Sequence, residues 1–485
     1  MPGPMRLPVG ALFGLALLGA ALAAAPVAAG LRAQEPGRGA PPRPAPAEGR
    51  PASPLDAVRR AALAAELRAS LRNELLAPWY PRAVDHERGG FLSQFDYRWQ
   101  PTGAQEKMIV SQARHVWTNA RAAQFFHDTS YLPAARHGFA FLRDVMWDRE
   151  RGGFYWLVTR EGTPVPEKDG RLIKQAYGNA FGIYALAAYY DVTRDAAALT
   201  LAQQAFRWLD AHAHDPVHRG YFNYLERDGT PLTEGYAGTP PKDQNSSIHL
   251  LEAFTELYRV WPDAVLRERL REMLLLIRDT IRVDPGHLTL FSTADWTPVS
   301  YRDSSAAVRE AHYYFDHVSF GHDVETAYLM LEASAALGLK NDTVTLKAAK
   351  QMVDHALRNG WDTQDGGFYD AGYYFKDHPG LTIVLQSKAW WAQAEGLNTL
   401  LLLADRYPHD PLRYDEKFLQ QWSYITAYLI DHENGGWYEG GLDKEPQRRT
   451  GLKGHIWKAA YHESRALMNV IRRLQEYPPG DVVQP

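Results

Sequence analysis

Two stretches of the chain put a histidine and a glutamate three residues apart, just where an apolar run begins. They are His249 with Glu252 in "NSSIHLLEAF" and His322 with Glu325 in "SFGHDVETAY". On a helix, positions i and i+3 share a face. A carboxylate there can accept from one imidazole nitrogen, fix the tautomer and raise the basicity of the other. That chemistry is general acid–base catalysis, for which an imidazole with a pKa near ~6.5 suits neutral pH. Taken alone, either pair also reads as a core histidine satisfied by its neighbour. His462 in "KAAYHESRAL" and Arg114 in "QARHVWTNARAA" stand in similar contexts. An arginine beside such bases can stabilise a developing oxyanion. No metal is expected, because the H-x-x-E spacing is not the H-x-x-x-H that sets two ligands on one helical face. No glycine-rich phosphate loop is present, and "GNAFG" is too short for a dinucleotide fingerprint.

The elements that must position these residues repeat along the chain. Glycine turns occur as "RGGFLSQFD", "RGGFYWLVT", "HRGYFNYLE", "DGGFYDAGY" and "NGGWYEGGL". Their second glycines are Gly90, Gly153, Gly220, Gly367 and Gly436, giving steps of 63, 67, 147 and 69 residues. The long step is about two periods, and "PGHLTLFSTADW" near its middle is a degenerate sixth copy. After each turn comes an Ala- and Leu-rich run of helical period, starting at Ser111, Tyr177, Asn245, Ser319, Trp390 and Ala459. A second, more amphipathic helix follows each, as over Pro133–Met146 and Ala197–Ala213. Six inner and six outer helices closing on themselves predict an all-α, toroidal (α/α)6 barrel, with short β-hairpins at one face. Arg114, Asn179, His249, His322, Gln393 and His462 fall at roughly matching places early in the inner helices. In a closed ring those places converge on one cavity, which favours function over six unrelated core residues.

Composition bounds the class. The chain has 485 residues, with 53 Lys+Arg against 57 Asp+Glu and no basic block, which argues against a nucleic-acid partner. Aromatics make up 12%, as suits a large core or platforms for sugar rings. There is no cysteine, so packing rather than disulfides must hold the fold. Residues 1–29 read as a signal peptide, with Arg6, an apolar run over Leu12–Ala25 and the small residues Val27-Ala28-Ala29. Residues 30–54 read as a Pro/Ala/Gly-rich disordered linker, and 55–480 as one barrel domain. The expected location is therefore outside the cytoplasm, periplasmic or secreted, with no membrane role beyond export.

"NSSIHLLEAF", "SFGHDVETAYLM", "SKAWWAQAEGL" and "KAAYHESRAL" resemble the four signature stretches of the N-acylglucosamine 2-epimerase superfamily, most closely its cellobiose 2-epimerase branch. "QARHVWTNARAA" resembles that branch's arginine segment. The likeness spans about residues 60 to 475. It implies an (α/α)6 barrel that inverts or isomerises C2 of a reducing-end sugar without a cofactor. On this pattern His322 and His462 are the acid/base pair and His249 the third histidine. Glu252 and Glu325 are the supporting carboxylates, Arg114 the arginine, and Trp390 and Trp391 the aromatic pair of the sugar site. Tyr177, Asn179, Trp117 and Glu395 lie on the same inner helices and are further candidates for binding the carbohydrate. Two departures bear on the substrate: Ser247 replaces a histidine usual in that branch, and residues 301–317 are extra, placed to cover the pit.

The reaction so implied needs only acid–base groups. A C2 proton is acidic once C1 is an open-chain aldehyde, and its loss gives an enediolate with charge on O1. Each positioned acid or base contributes roughly 10²–10⁴-fold. The enzymatic alternative is a glycoside hydrolase or polysaccharide lyase. A hydrolase would need facing carboxylates ~5–5.5 or ~6.5–9.5 Å apart, and Asp323, Glu395 and Glu463 are acidic residues near the mouth. The non-enzymatic alternative is an exported sugar-binding protein.

Overall fold

The computed structural model describes residues 55–476. The expected leader and linker, and the last few residues of the expected domain, lie outside them. Thirteen helices are used below, numbered in chain order. The outer set is α1 (Ala57–Ala69, continuing to Trp79), α3 (Leu132–Phe141, continuing to Met146), α5 (Ala196–Ala213), α7 (Ala264–Leu276, continuing to Ile281), α10 (Thr343–Asn359) and α12 (Tyr414–Tyr428). The inner set is α2 (Ile109–Phe126), α4 (Ala176–Thr193), α6 (Gln244–Val260), α9 (Phe320–Ala336), α11 (Trp390–Arg406) and α13 (Tyr461–Gln475). Each inner helix packs on the next, and α13 packs back on α2, so the ring is closed. The (α/α)6 barrel expected from the repeat is the fold. Helix α8 (Ala306–Asp316) stands outside this scheme, within the extra segment.

Local sequence explains the entries and exits. Asp56, Asp195, Asp263 and Asp342 cap outer helices by accepting from backbone N–H groups of the first turn. Inner helices are buried on nearly every side, and α4 is buried from Ala176 to Tyr189 without a break, which is why Ala and small residues crowd them. The glycine turns need their glycines: Gly153 sits at φ 71°, and a Cβ there would lie 2.6 Å from the Trp208 ring.

A buried lysine locks five of the six turns. Lys107, Lys174, Lys242, Lys388 and Lys453 reach Asp85, Asp148, Asp215, Asp362 and Asp431 at 2.9, 3.0, 2.7, 2.8 and 2.6 Å. Lys107, Lys174, Lys242 and Lys388 also donate to a turn carbonyl, at Gly89, Gly152, Arg219 and Gly366. Burial alone would raise the Asp215 carboxyl, but Lys242 and turn N–H groups hold it down at about 2. Burial pulls the Lys174 ammonium down to about 8 despite Asp148. The degenerate copy lacks this lock: Val318 stands where the lysine would be, and Asp284 is exposed.

Counting from Lys107, Lys174, Lys242, Val318, Lys388 and Lys458 corrects the sequence alignment of the inner helices; Lys458 holds this place in the last copy, although Lys453 makes the ion pair there. His322 and His462 are both four residues on. Arg114 and His249 are seven on, level with Glu325, Glu395 and Arg465. Gln112, Asn179, Asp323 and Gln393 are five on, and all four accept from a turn N–H, of Phe91, Phe154, Leu288 and Phe368. The six polar residues read as one ring are thus three layers, and the Asn179–Gln393 layer is a structural latch.

Candidate active site

The upper layer holds the two histidines with accessible edges. His322 is half-buried, its Nδ1 lies 2.8 Å from Ser319 Oγ, and its ring is 4.7 Å from that of Trp391, tilted by 45°. Trp391 is also 5.8 Å from His462, so one indole adjoins both imidazoles. His462 Nδ1 lies 2.7 Å from Glu395 Oε1. Burial drives the His322 pKa down to about 3, helped by His249 and His317. Burial also drives His462 well below the imidazole range, helped by Arg114, Arg465, His249 and His322. Both rings are therefore neutral at physiological pH, the form able to take a proton.

The deeper layer carries the charges. His249 Nδ1 is 2.9 Å from Glu252 Oε2, the pairing expected from their spacing. Arg114 donates to the Trp457 carbonyl at 2.8 Å, lies 3.4 Å from the Tyr177 hydroxyl, and stacks on Phe181 and Tyr461. Its Nε is buried without a hydrogen-bond partner among the described residues. Beneath them Arg465 bonds Glu252, Glu325, Glu395 and the Tyr461 hydroxyl. Burial opposes the Glu252 charge, but Arg465, His249 and Tyr461 hold its carboxyl at about 2. Arg465 was not among the residues picked from the sequence. A signal for it existed, since it shares the level of Arg114 and His249 when counted from the repeated lysines.

Several expected partners sit elsewhere. Glu325 does not support His322: it bonds Arg465 and lies 3.8 Å from His462 Nδ1. The reason is local: the His322 ring reaches back to Ser319, while the deep guanidinium draws Glu325 away. Trp390 is 7% exposed and covers Lys458 at 5.4 Å, so Trp391 alone of that pair faces the histidines. Asn179 is fully buried, its amide spent on the Phe154 N–H and the Gln175 carbonyl. Glu395 is fully buried behind His462, out of reach of a ligand. Trp117 stacks on Tyr184 below the floor, beside a cavity of about 360 Å³ at the opposite end of the barrel. Tyr177 remains at the site, 5.3 Å from His249.

Helix α8 lies over this end of the barrel. Its Tyr313 packs on Tyr373 and its Phe315 on Phe291. Asp316 ties both ends of the extra segment, accepting from Ser300 Oγ, the Tyr301 N–H and the Tyr373 hydroxyl. The Tyr314 hydroxyl is raised by burial beside Tyr224, Asp243 and Tyr177, so the segment reaches the edge of the site. Among the described residues two groups have metal-like spacing, Glu325, Glu395 and His462 and Asp362, Asp365 and Asp443, but Arg465 occupies the first, and Lys388 and Lys444 the second.

Comparison with known proteins shows the family of the chain. Residues 89–466 match the family described as N-acylglucosamine 2-epimerase (GlcNAc 2-epimerase). The chain is 27% identical to a cellobiose 2-epimerase of Bacteroides fragilis over 84% of its own length and 98% of the relative's. It is 25% identical to a D-mannose isomerase of Marinomonas mediterranea over 82% and 95%. The solved cellobiose 2-epimerase of Spirochaeta thermophila superposes with a TM-score of 0.74 at 30% identity, covering 86% of this chain and 97% of that one.

Proposed function

Because the chain belongs to the N-acylglucosamine 2-epimerase family and is a carbohydrate epimerase or isomerase, we propose that it moves the C2 proton of a reducing-end sugar. The substrate is a mono- or disaccharide, and the product is the 2-epimer or the ketose reached through the same enediolate. The observation that carries this reading is two neutral imidazoles, His322 and His462, with their rings 4.7 and 5.8 Å from that of Trp391. A sugar ring lying on Trp391 would present C2 to both bases. One takes the proton and the other returns it, so inversion at C2 needs no further base. Arg114, with its unpartnered Nε, is placed to stabilise the charge on O1. His249, hydrogen-bonded to Glu252, is placed to bind or protonate a sugar oxygen. No step requires a cofactor.

Hydrolysis is disfavoured because Asp323, Glu395 and Glu463 are all fully buried, at 1% exposure or less. Incubation with cellobiose separates the two chemistries. A new disaccharide of equal mass supports the proposal, and release of glucose overturns it. We also propose that the protein is exported, on the strength of the leader-like residues 1–29. Mass spectrometry of the mature protein should find them missing; an intact Met1 in a cytosolic fraction would contradict export.

A further inference from the structure

The floor of the site holds more acidic groups than its guanidinium can balance. Glu252, Glu325 and Glu395 come from three inner helices and converge on Arg465, and all four residues are at most 5% exposed. Glu325 and Glu395 share one guanidinium nitrogen, Nη2. One carboxylate oxygen of each and a ring nitrogen of His462 lie within 4.8 Å of one another. Two carboxylates this close in a dry site, sharing one guanidinium nitrogen, do not both keep their charge. Glu252 is the well-supported anion, accepting from His249, Tyr461 and Arg465. Glu395 meets Arg465 and His462 through Oε1 alone. Its Oε2 is buried with no hydrogen-bond partner among the described residues, beside a Tyr328 hydroxyl that also lacks one.

We propose that Glu395 is a positioning residue held in its protonated, neutral form, and that Arg465 sorts the charge so that Glu252 backs His249 as an anion while Glu395 backs His462 as an acid. The groups facing Glu395 are Arg465 and His462 on α13 and Glu325 and Tyr328 on α9, with Glu252 of α6 sharing Arg465. Burial raises its pKa, Arg465 opposes and Glu325 adds to the rise, leaving it at about 8. A neutral acceptor enhances imidazole basicity less than an anion does. His462 is thus a poorer base, and its conjugate acid a better donor, than it would be against an ionised Glu395.

Infrared difference spectroscopy of wild type against Glu395→Gln tests the protonation without relying on turnover. The wild type should show a protonated-carboxyl stretch at neutral pH that the variant lacks, fading with a midpoint near 8. Loss of carboxylate bands instead would overturn the proposal. Should Glu395→Gln not fold, Glu325→Gln decides. Removing the competing charge lets Glu395 ionise, so the same band should vanish, and its persistence would count against the charge sorting. The kinetic arm rests on the function proposed above. An amide mimics the neutral acid, so Glu395→Gln should lose less kcat than Glu252→Gln, which should lose about 100-fold. Wild-type kcat should change as pH rises through about 8, where Glu395 ionises, and that step should be absent from Glu395→Gln. Equal losses in the two folded variants would overturn the asymmetry even if epimerisation itself stands.

Discussion

At the scale of single residues, the site separates groups that meet substrate from groups that hold them. Trp391 adjoins two imidazoles while its neighbour Trp390 is packed over Lys458. Trp391→Ala should raise KM about tenfold, the equivalent of ~1.4 kcal/mol of lost contact, and leave the melting temperature nearly unchanged. Trp390→Ala should do the reverse, and steady-state kinetics beside thermal melts would show it. Ser319 holds His322 Nδ1 at 2.8 Å. A hydrogen bond of this kind contributes ~0.5–1.5 kcal/mol, so Ser319→Ala should lower kcat about two- to tenfold with KM unmoved. The His249–Glu252 pair was legible from spacing because both side chains stay on one helix face. The His322–Glu325 pair misled for a physical reason: spacing does not report a guanidinium from another helix, and Arg465 competes for the carboxylate.

At the scale of elements, the repeat is anchored by buried ion pairs that periodicity does not display. Six glycine turns and twelve helices could be read from apolar period and glycine spacing, and inner-helix starts fell within two residues of those observed. The polar layers were harder, because a shift of two or three residues changes level without changing the look of the sequence. Asn179 belongs to the latch on the Phe154 N–H, not to the site. The repeated lysine fixes the register, and its loss should be costly. Lys174→Met leaves Asp148 buried with Arg227 as its one remaining cation, beside the Glu150 and Arg151 N–H groups. Removing one partner of such a pair costs ~3–5 kcal/mol. Denaturant unfolding should show that loss, and a variant as stable as wild type would remove the lock from the account.

At the scale of the whole molecule, the barrel keeps several histidines neutral against their nature. Burial puts His115 and His322 at about 3 and His287 and His355 at about 4. An unfolded chain protonates these near ~6.5. As pH falls through that value the unfolded state takes up protons that the folded state refuses, so stability declines. Melting temperature should therefore drop between about pH 6.5 and 5, before the carboxylates titrate; a flat profile there would contradict the assignment. The central claim is that two histidines serve opposite faces of C2, and proton exchange in D2O followed by NMR tests it most directly. Wild type should place deuterium at C2 of both epimers. His322→Asn should exchange C2 of one epimer only, His462→Asn of the other, and neither should interconvert them. Epimerisation by His322→Asn at the wild-type rate would contradict the account.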